Sequence, residues 1–591
     1  MQNYERLPGA RDIRTYAKYF LPTLLVFLVY YPALSNGFVW DDHKAFQFYP
    51  FYVDIQYLWR AFTEPLVFSP DYYRPLTSST YILQNYFFGL HPAGLHFVNL
   101  ALHAGNATLI GLVLYRLLVR WNRNELAVWL PLVGGAIYVL HPVLIEPVTW
   151  ISDRFDLLVA FFLLLALYFD LSIRNSIWRS IGVGAVFFLA CLSKEMALSI
   201  AVGFPFWHLA VNHEKARRPA TLLHTFYSRG DLWVYVSIFL FGVVYLVLRF
   251  NALGHFVSEG GSYESLGSVW QRILLVSRSY LEYGSLLLFP YFSLSPVHPV
   301  KLPADPTSLQ NLVSLVLLVG IPAYAIYAVP KKPASAWLTL MLLVCLLPIS
   351  NIVPLNRPAA AFFSESYLVL PAAVFVLLLM AFIVDLVEPA RFKETTFRNG
   401  LFAGIFVWFL LCIFIVRSTL PLWKNDLTLW SWAAIKAPGS TVAQNNLAST
   451  LLDLKRYREA RDVAHRAIEL EPGAAMSWDT YGVALINLGK KDEGKAALQK
   501  ATKLDPGEPR HWYQLALVLM NDREFKQAEV ILKNNVLSRD PNNTSAMINL
   551  AITYRELGQK ARAKKFFQKA RLLATDRQMI DFIDSSLEKL K

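Results

Sequence analysis

Long apolar runs alternate with short basic connections along most of the chain, as far as about Val416. Runs long enough, or nearly long enough, to cross a hydrocarbon core of roughly 30 Å begin near Tyr19, Phe97, Leu126, Leu157, Ile177, Ala197, Leu232, Ile273, Leu312, Ala336, Tyr367 and Leu401. Basic residues punctuate them: Arg6, Arg11, Arg14 and Lys18 precede the first, followed by Arg120 and Arg123, Arg174 and Arg179, Lys215, Arg217 and Arg218, Lys331 and Lys332, and finally Arg391, Lys393 and Arg398. Lys and Arg concentrate in cytoplasmic loops, so these connections mark one face. The loops around Asp41, Glu146, Lys194, Glu259 and Asn356, with everything after Arg417, then fall on the other face.

That arrangement requires one candidate not to cross. The segment 273–290, which carries Arg278, Glu282 and Gly284, is the expected re-entrant or interfacial one. About eleven crossings remain, with the N-terminus inside. The first run, 19–34, is read as a retained span, because no small-residue cleavage site follows it.

Beyond Arg417 the pattern changes to charged, helix-forming sequence with a period of 34. Pro472 and Gly473 recur as Pro506 and Gly507, and after one extra residue the boundary returns at Pro541. Small residues that let two helices approach fall at matching positions: Ala460 and Ala467, Gly494 and Ala501, Ala528, then Ala563 and Ala570. Trp478 with Gly482, and Trp512 with Ala516, occupy equivalent first-helix positions. This is the tetratricopeptide pattern. Four repeats run from about Ser440 to Asp576, and a helix over 577–591 caps the last. Such stacks form a concave groove for a peptide or partner protein, and Trp478 and Trp512 are the groove candidates. A purely structural or oligomerising role is the alternative.

The predicted fold is all-α: a polytopic helical membrane domain over 1–418, a connecting segment over 419–439, and a repeat solenoid over 440–591. Composition agrees, with 55% of the 591 residues hydrophobic and 17% charged. The formal charge of +13 follows from the cytoplasmic loops. No basic stripe with interleaved aromatics points to nucleic acid. Cys191, Cys345 and Cys412 each lie in an apolar stretch, which indicates neither a disulfide framework nor a thiolate metal site.

Candidate chemistry gathers on the face opposite the basic loops. Asp41 and Asp42 follow the first span directly. Adjacent carboxylates in a low-dielectric setting need a nearby cation or a raised pKa, and either suits a general base; a solvated loop or a helix N-cap is the plainer alternative. Arg74, between Tyr73 and Pro75, is placed to anchor a helix at headgroup level or to grip a phosphate with its planar fork. His141, Glu146, Asp153, Arg154 and Asp156 crowd one interspan loop, and Lys194 with Glu195 sits in a tight turn, where a mutual ion pair is the plainer reading. Glu365 precedes a late span and is a site residue or only a helix cap.

Read together, several strings resemble one family: FVWDD at 38–42, YYRPL from Tyr72, HFVNLALH from His96, HPVLIEPV from His141, SDRFDLL from Ser152, SKE from Ser193, LLPISN ending at Asn351 and ESYLVLP from Glu365. In order and spacing they are similar to the transmembrane and tetratricopeptide repeat-containing proteins, over nearly the whole chain. The resemblance implies a C-type glycosyltransferase fold acting as a protein O-mannosyltransferase on a polyprenyl-phosphate sugar.

The family's acidic pair maps onto Asp41 and Asp42, one of which would take the proton from an acceptor Ser or Thr hydroxyl. Direct attack would invert the anomeric centre. Arg74, Arg154 and Lys194 are the cations expected to stabilise the leaving phosphate, with His141, Glu146, Asp156, Glu195 and Glu365 supporting the site and no metal or cofactor required. The implied partners are the lipid-linked sugar, an acceptor or partner polypeptide on the repeats, and the bilayer. The repeats would face a periplasm or an endoplasmic reticulum lumen. Many relatives carry Arg after the residue corresponding to Glu365, whereas this chain has Ser366, which leaves the donor contacts and the sugar open. A non-enzymatic membrane-anchored scaffold is the competing reading.

Overall fold

The computed structural model describes residues 18–48, 52, 54–66, 71–217, 229–255, 268–291, 294–298, 307–352, 363–386, 395–574 and 577–590. Arg6, Arg11, Arg14, Arg218, Glu259, Asn356, Arg391, Lys393, Asp576 and Lys591 lie outside them. Among the described residues every regular element is helical, apart from one isolated bridge between His298 and Phe363. Two compact units divide at Leu429 and Trp430.

The first unit comprises α1 (Leu21–Tyr30), α2 (Pro75–Phe88), α3 (Pro92–Arg120), α4 (Leu130–Leu140), α5 (Arg154–Ser172), α6 (Ser176–Ser193), α7 (Ser199–Val211), α8 (Arg229–Leu253), α9 (Val269–Leu288), α10 (Leu309–Ala328), α11 (Pro333–Leu346), α12 (Val369–Leu386) and α13 (Thr395–Thr419). Seven described helices are long and apolar enough to cross a membrane; α4 bends by 53° into the segment ending at Thr149 and adds an eighth if the pair forms one span. Three shorter apolar helices, Leu21–Ser35, Glu195–Val211 and Pro333–Ile349, accompany them. Helix α9, the segment singled out as non-crossing, is not among these apolar helices.

Local chemistry starts and stops the helices. Pro occupies the first turn of α2, α3 and α4, where its missing N–H is no loss. The Asn175 side chain accepts from the N–H groups of Ile177 and Trp178 to begin α6, and Ser268 and Gln271 form a capping box at α9. Small residues set the spacing: a β-carbon at Gly184 would collide with Ser237 where α6 packs on α8.

Helix α5 runs through the middle of this unit with an acidic group near each end, Asp156 and Asp170, which lie about 21 Å apart at 1.5 Å per residue. Asp170 accepts from Trp207 Nε1 at 2.9 Å and pairs with His208 Nε2 at 3.1 Å, while Arg179 binds Asp231 at 2.7 Å. That end is a polar clamp beside the basic loops. The other end carries the candidate site.

The second unit begins within α14 (Asp426–Lys436). Four antiparallel pairs follow: α15 (Thr441–Asp453) with α16 (Tyr457–Leu470), α17 (Ala475–Asn487) with α18 (Lys491–Leu504), α19 (Pro509–Asn521) with α20 (Phe525–Ile531), and α21 (Thr544–Glu556) with α22 (Lys560–Leu573). The predicted small residues Ala460, Ala467, Ala501, Ala528, Ala563 and Ala570 are all fully buried. A β-carbon on Gly482 or Gly494 would meet the other's carbonyl within 3 Å, so α17 and α18 touch backbone to backbone. Each pair is joined by a left-handed residue: Lys455, Gly489, Arg523 and Gly558. The extra residue before Pro541 is absorbed by a π-helical turn, Leu532–Val536, which continues α20. Helix α23 (Arg577–Glu588) closes the stack by burying Ile583 against Met547, Ala551 and Phe567.

Candidate functional site

One strip of chain, residues 150–156, organises the site. Trp150 stacks on Trp40, with ring centroids 4.6 Å apart and planes within 7°. Ser152 donates to Asp42 Oδ1 from its backbone N–H at 2.8 Å and from its hydroxyl at 2.5 Å. Phe155 presents its ring to two cations, the Arg74 guanidinium at 4.1 Å and the Lys194 ammonium at 4.7 Å. Asp156 takes Lys194 Nζ on both oxygens, at 2.6 and 2.8 Å. The segments around Asp41, Arg74, Asp156 and Lys194 therefore meet, while the loops around Glu259 and Asn356 lie outside the described residues.

The two aspartates of the first loop part company. Asp42 is fully buried, and besides Ser152 it accepts the Val39 N–H at 3.2 Å. Burial lifts its carboxyl from the ordinary 3.8 to about 7, against the opposing pull of these hydrogen bonds, with Asp41 adding a smaller upward push. Asp42 is thus a buried brace, and its engaged oxygens do not suit it to meet an acceptor hydroxyl. Asp41 keeps about a third of its side chain exposed, with Lys44 Nζ 3.7 Å away. Its carboxyl is also raised, by desolvation that outweighs Lys44. Asp41 is the carboxylate of the pair that stays accessible.

The cations divide as well. Arg74 forms a two-point pair with Glu195, at 2.8 and 3.2 Å, and lies against the rings of Tyr72 and Phe155. Glu195 is partly exposed, so this pair reaches the surface of the site. The Lys194–Asp156 pair is buried, and Tyr367 lies 4.9 Å from the ammonium. Arg154 corrects expectation. Its guanidinium is fully buried, and its N–H groups go to Asn99 Oδ1, Thr80 Oγ1, Gln84 Oε1 and the Leu95 carbonyl, with Tyr81 beneath at 4.2 Å. Those donors tie α2, α3 and α5 together and are not available to a phosphate.

His141 is likewise structural. Its Nε2–H donates to the Leu287 carbonyl at 2.9 Å, and Nδ1 accepts from the Val143 N–H at 3.4 Å, which caps the short helix where α4 bends. Glu146 accepts from Ser364 Oγ at 2.6 Å, and Glu365 accepts from the Ser295 N–H at 2.7 Å with His298 Nε2 at 3.3 Å. Asp153, a neighbour that residue type alone did not separate from Asp156, is fully buried with neither carboxylate oxygen hydrogen-bonded. Among the described residues no three His, Cys, Asp or Glu converge to hold a metal ion.

Asp426 was missed altogether. It accepts the Trp40 N–H at 2.8 Å on one oxygen and meets His43 Nε2 at 2.7 Å with the other. Nearby, the Lys424 carbonyl accepts from the Gly37 N–H and the Leu420 carbonyl from Asn36 Nδ2. The expected linker 419–439 therefore divides, its first part belonging to the first unit because it pairs with the Asp41 loop. No sequence signal links residues nearly four hundred positions apart.

In the second unit Trp478 and Trp512 are each anchored through the indole. Their indole N–H groups donate to the carbonyls of Pro472 and Pro506, at 2.9 and 3.0 Å. Each bolts the first helix of its repeat to the preceding turn, and Trp512 packs its ring on the core.

The tetratricopeptide-repeat family matches residues 445–509, 480–533 and 519–580. The second unit is a tetratricopeptide-repeat array. Relatives named protein O-mannosyl-transferase include TMTC4 of Homo sapiens, 34% identical over 147 residues, 22% of this chain and 19% of the relative, and Tmtc2 of Drosophila melanogaster, 32% identical over 195 residues, 30% and 20% respectively. The matched region spans about a fifth of the length of these curated relatives. Among solved structures, a tetratricopeptide-repeat protein of Thermus thermophilus is similar at 21% identity and a TM-score of 0.26, over 32% of this chain and 98% of its own. The resemblance read from the sequence is met by tetratricopeptide repeats and by partial matches to relatives named for O-mannosyl transfer.

Proposed function

We propose that this membrane protein is a glycosyltransferase that moves a hexose, mannose in the first instance, from a polyprenyl phosphate to a Ser or Thr hydroxyl of a polypeptide on the extracytoplasmic face. The observation that carries the reading is the separation of roles in the acidic pair, on a chain whose relatives are named O-mannosyl-transferases. Asp42 is buried and braced by Ser152 and Val39, while Asp41 stays partly exposed.

Asp41 takes the hydroxyl proton as the oxygen attacks the anomeric carbon. The phosphate leaves from the opposite side, so the centre inverts. Negative charge grows on the departing phosphate, and the Arg74 and Lys194 cations around Phe155 stabilise it. Glu195 brings the Arg74 pair nearer to solvent than the Lys194 pair, and the Arg74 fork, which Glu195 engages in this structure, has the planar geometry that phosphate oxygens could take up by displacing that carboxylate. No cofactor enters this scheme beyond the lipid-linked sugar, and the repeats hold the acceptor or a partner protein.

The test is transfer by the purified full chain in detergent, with polyprenyl-phosphate mannose and a Ser/Thr-rich peptide library. A gain of one hexose with inverted linkage supports the reading. No gain with any polyprenyl-phosphate sugar, from folded protein, favours the scaffold alternative, for which the internally satisfied Arg154 and Lys194–Asp156 contacts are the observation.

A further inference from the structure

The peptide that presents Asp41 is held in a conformation its own residues would not choose. Trp40, immediately before it, has φ 56° and ψ −121°. That is a positive-φ geometry rarely taken by a bulky side chain, and such residues persist only where their surroundings over-determine them. Three contacts do so here. The Trp40 ring stacks on Trp150. The Trp40 N–H donates to Asp426 Oδ1 at 2.8 Å. Three residues on, His43 Nε2 meets Asp426 Oδ2 at 2.7 Å.

One carboxylate thus grips the chain immediately before Asp41 and two residues after it. A second pair of contacts, Gly37 N–H to the Lys424 carbonyl at 3.0 Å and Asn36 Nδ2 to the Leu420 carbonyl at 3.3 Å, seats the same two segments against each other upstream. Asp426 is the first residue of a helix, Asp426–Lys436, an element separate from the loop it holds.

We propose that Asp426 is a positioning residue that fixes the direction of the Asp41 carboxylate, locking the turned Trp40 peptide from the far end of the membrane unit. The inference rests on the proposed role of Asp41 as base. It assigns to the segment after the last long apolar helix a part in the site. Asp426 touches neither sugar nor acceptor; it acts through the backbone at Trp40 and the ring of His43. A base displaced by about 1 Å loses up to about a hundredfold in rate, so release of this latch is read in turnover before binding.

The experiment compares Asp426→Ala, Asp426→Asn and His43→Ala with wild type in the full chain. Two readouts are taken: steady-state transfer from polyprenyl-phosphate mannose, and backbone hydrogen exchange over residues 36–48. Asparagine keeps an oxygen for the Trp40 N–H and an amide for His43, whereas alanine keeps neither. Asp426→Ala is expected to lower kcat about ten- to a hundredfold with donor KM within about twofold, and to speed exchange over 36–48 while the repeats exchange as before. Asp426→Asn restores most of both, and His43→Ala falls between. Equal losses in Asp426→Ala and Asp426→Asn, or a loss confined to KM, would overturn the proposal. If the wild type transfers nothing, the proposed function fails and exchange alone decides the latch: acceleration in Asp426→Ala but not in Asp426→Asn upholds it, and unchanged exchange in Asp426→Ala overturns it. If Asp426→Ala does not fold, His43→Ala decides by the same two readouts.

Discussion

Asp42→Asn isolates the energetics of the first loop. Asp42 is fully buried, and a rise of its carboxyl from 3.8 to about 7 corresponds to about 4 kcal/mol of preference for the protonated form in the folded protein. The folded state holds this proton more tightly than the unfolded chain does. The contribution is therefore fully present below about pH 4 and is lost as the pH rises through about 7. Asparagine has nearly the same shape and mimics the protonated acid. Its oxygen still accepts from Ser152, and only the bond from the Val39 N–H is given up, a loss of about 1 kcal/mol. Thermal unfolding in detergent, followed from about pH 5 to about pH 8.5, should show wild type and Asp42→Asn close together at the acid end. They should separate as the pH rises, with the variant becoming the more stable by about 3 kcal/mol. Parallel curves, or a variant that loses ground as the pH rises, would refute the assignment of a proton to buried Asp42.

Three further outcomes follow from other contacts. Lys194→Met strands the buried Asp156 carboxylate and should destabilise the membrane unit by about 3–5 kcal/mol, while Lys194→Met with Asp156→Leu recovers most of that loss; chemical denaturation of the three proteins measures both. Arg523→Gly places glycine at a left-handed position where two sister repeats already have it, and should raise the stability of the repeats by about 1 kcal/mol in urea unfolding. Trp512→Phe deletes the N–H bond to the Pro506 carbonyl and should cost about 1 kcal/mol of repeat stability with no effect on partner capture; unchanged stability with weakened capture would restore Trp512 to the groove.

The repeats were legible because their signals are local and periodic. A helix pair of fixed length places Ala467, Ala501 and Ala570 at the same crossing in three of the four repeats, and even the extra residue before Pro541 announced an irregularity that became a π turn. Apolar runs were legible for the same reason, since hydropathy is read within a single helix. The site was legible only as a face. Residue type placed Arg74, Arg154 and Lys194 together as external cations, yet their roles depend on what surrounds each. Arg154 meets four neutral acceptors contributed by α2 and α3, whereas Arg74 meets a carboxylate beside solvent. Adjacent Asp41 and Asp42 look equivalent in sequence, but Ser152, more than a hundred residues away, makes one a buried brace. Asp426 sits in a stretch whose composition suggests a plain linker, and only the folded chain brings it to Trp40.

The measurement that bears most directly on the central claim is hexose transfer by Asp41→Asn beside wild type, with melting curves confirming that both are folded. Asp41 is partly exposed and pairs only loosely with a surface lysine, so the substitution should not lower the melting temperature. Loss of transfer at unchanged donor binding is the predicted result. Near wild-type turnover in Asp41→Asn would contradict the assignment of Asp41 as the base.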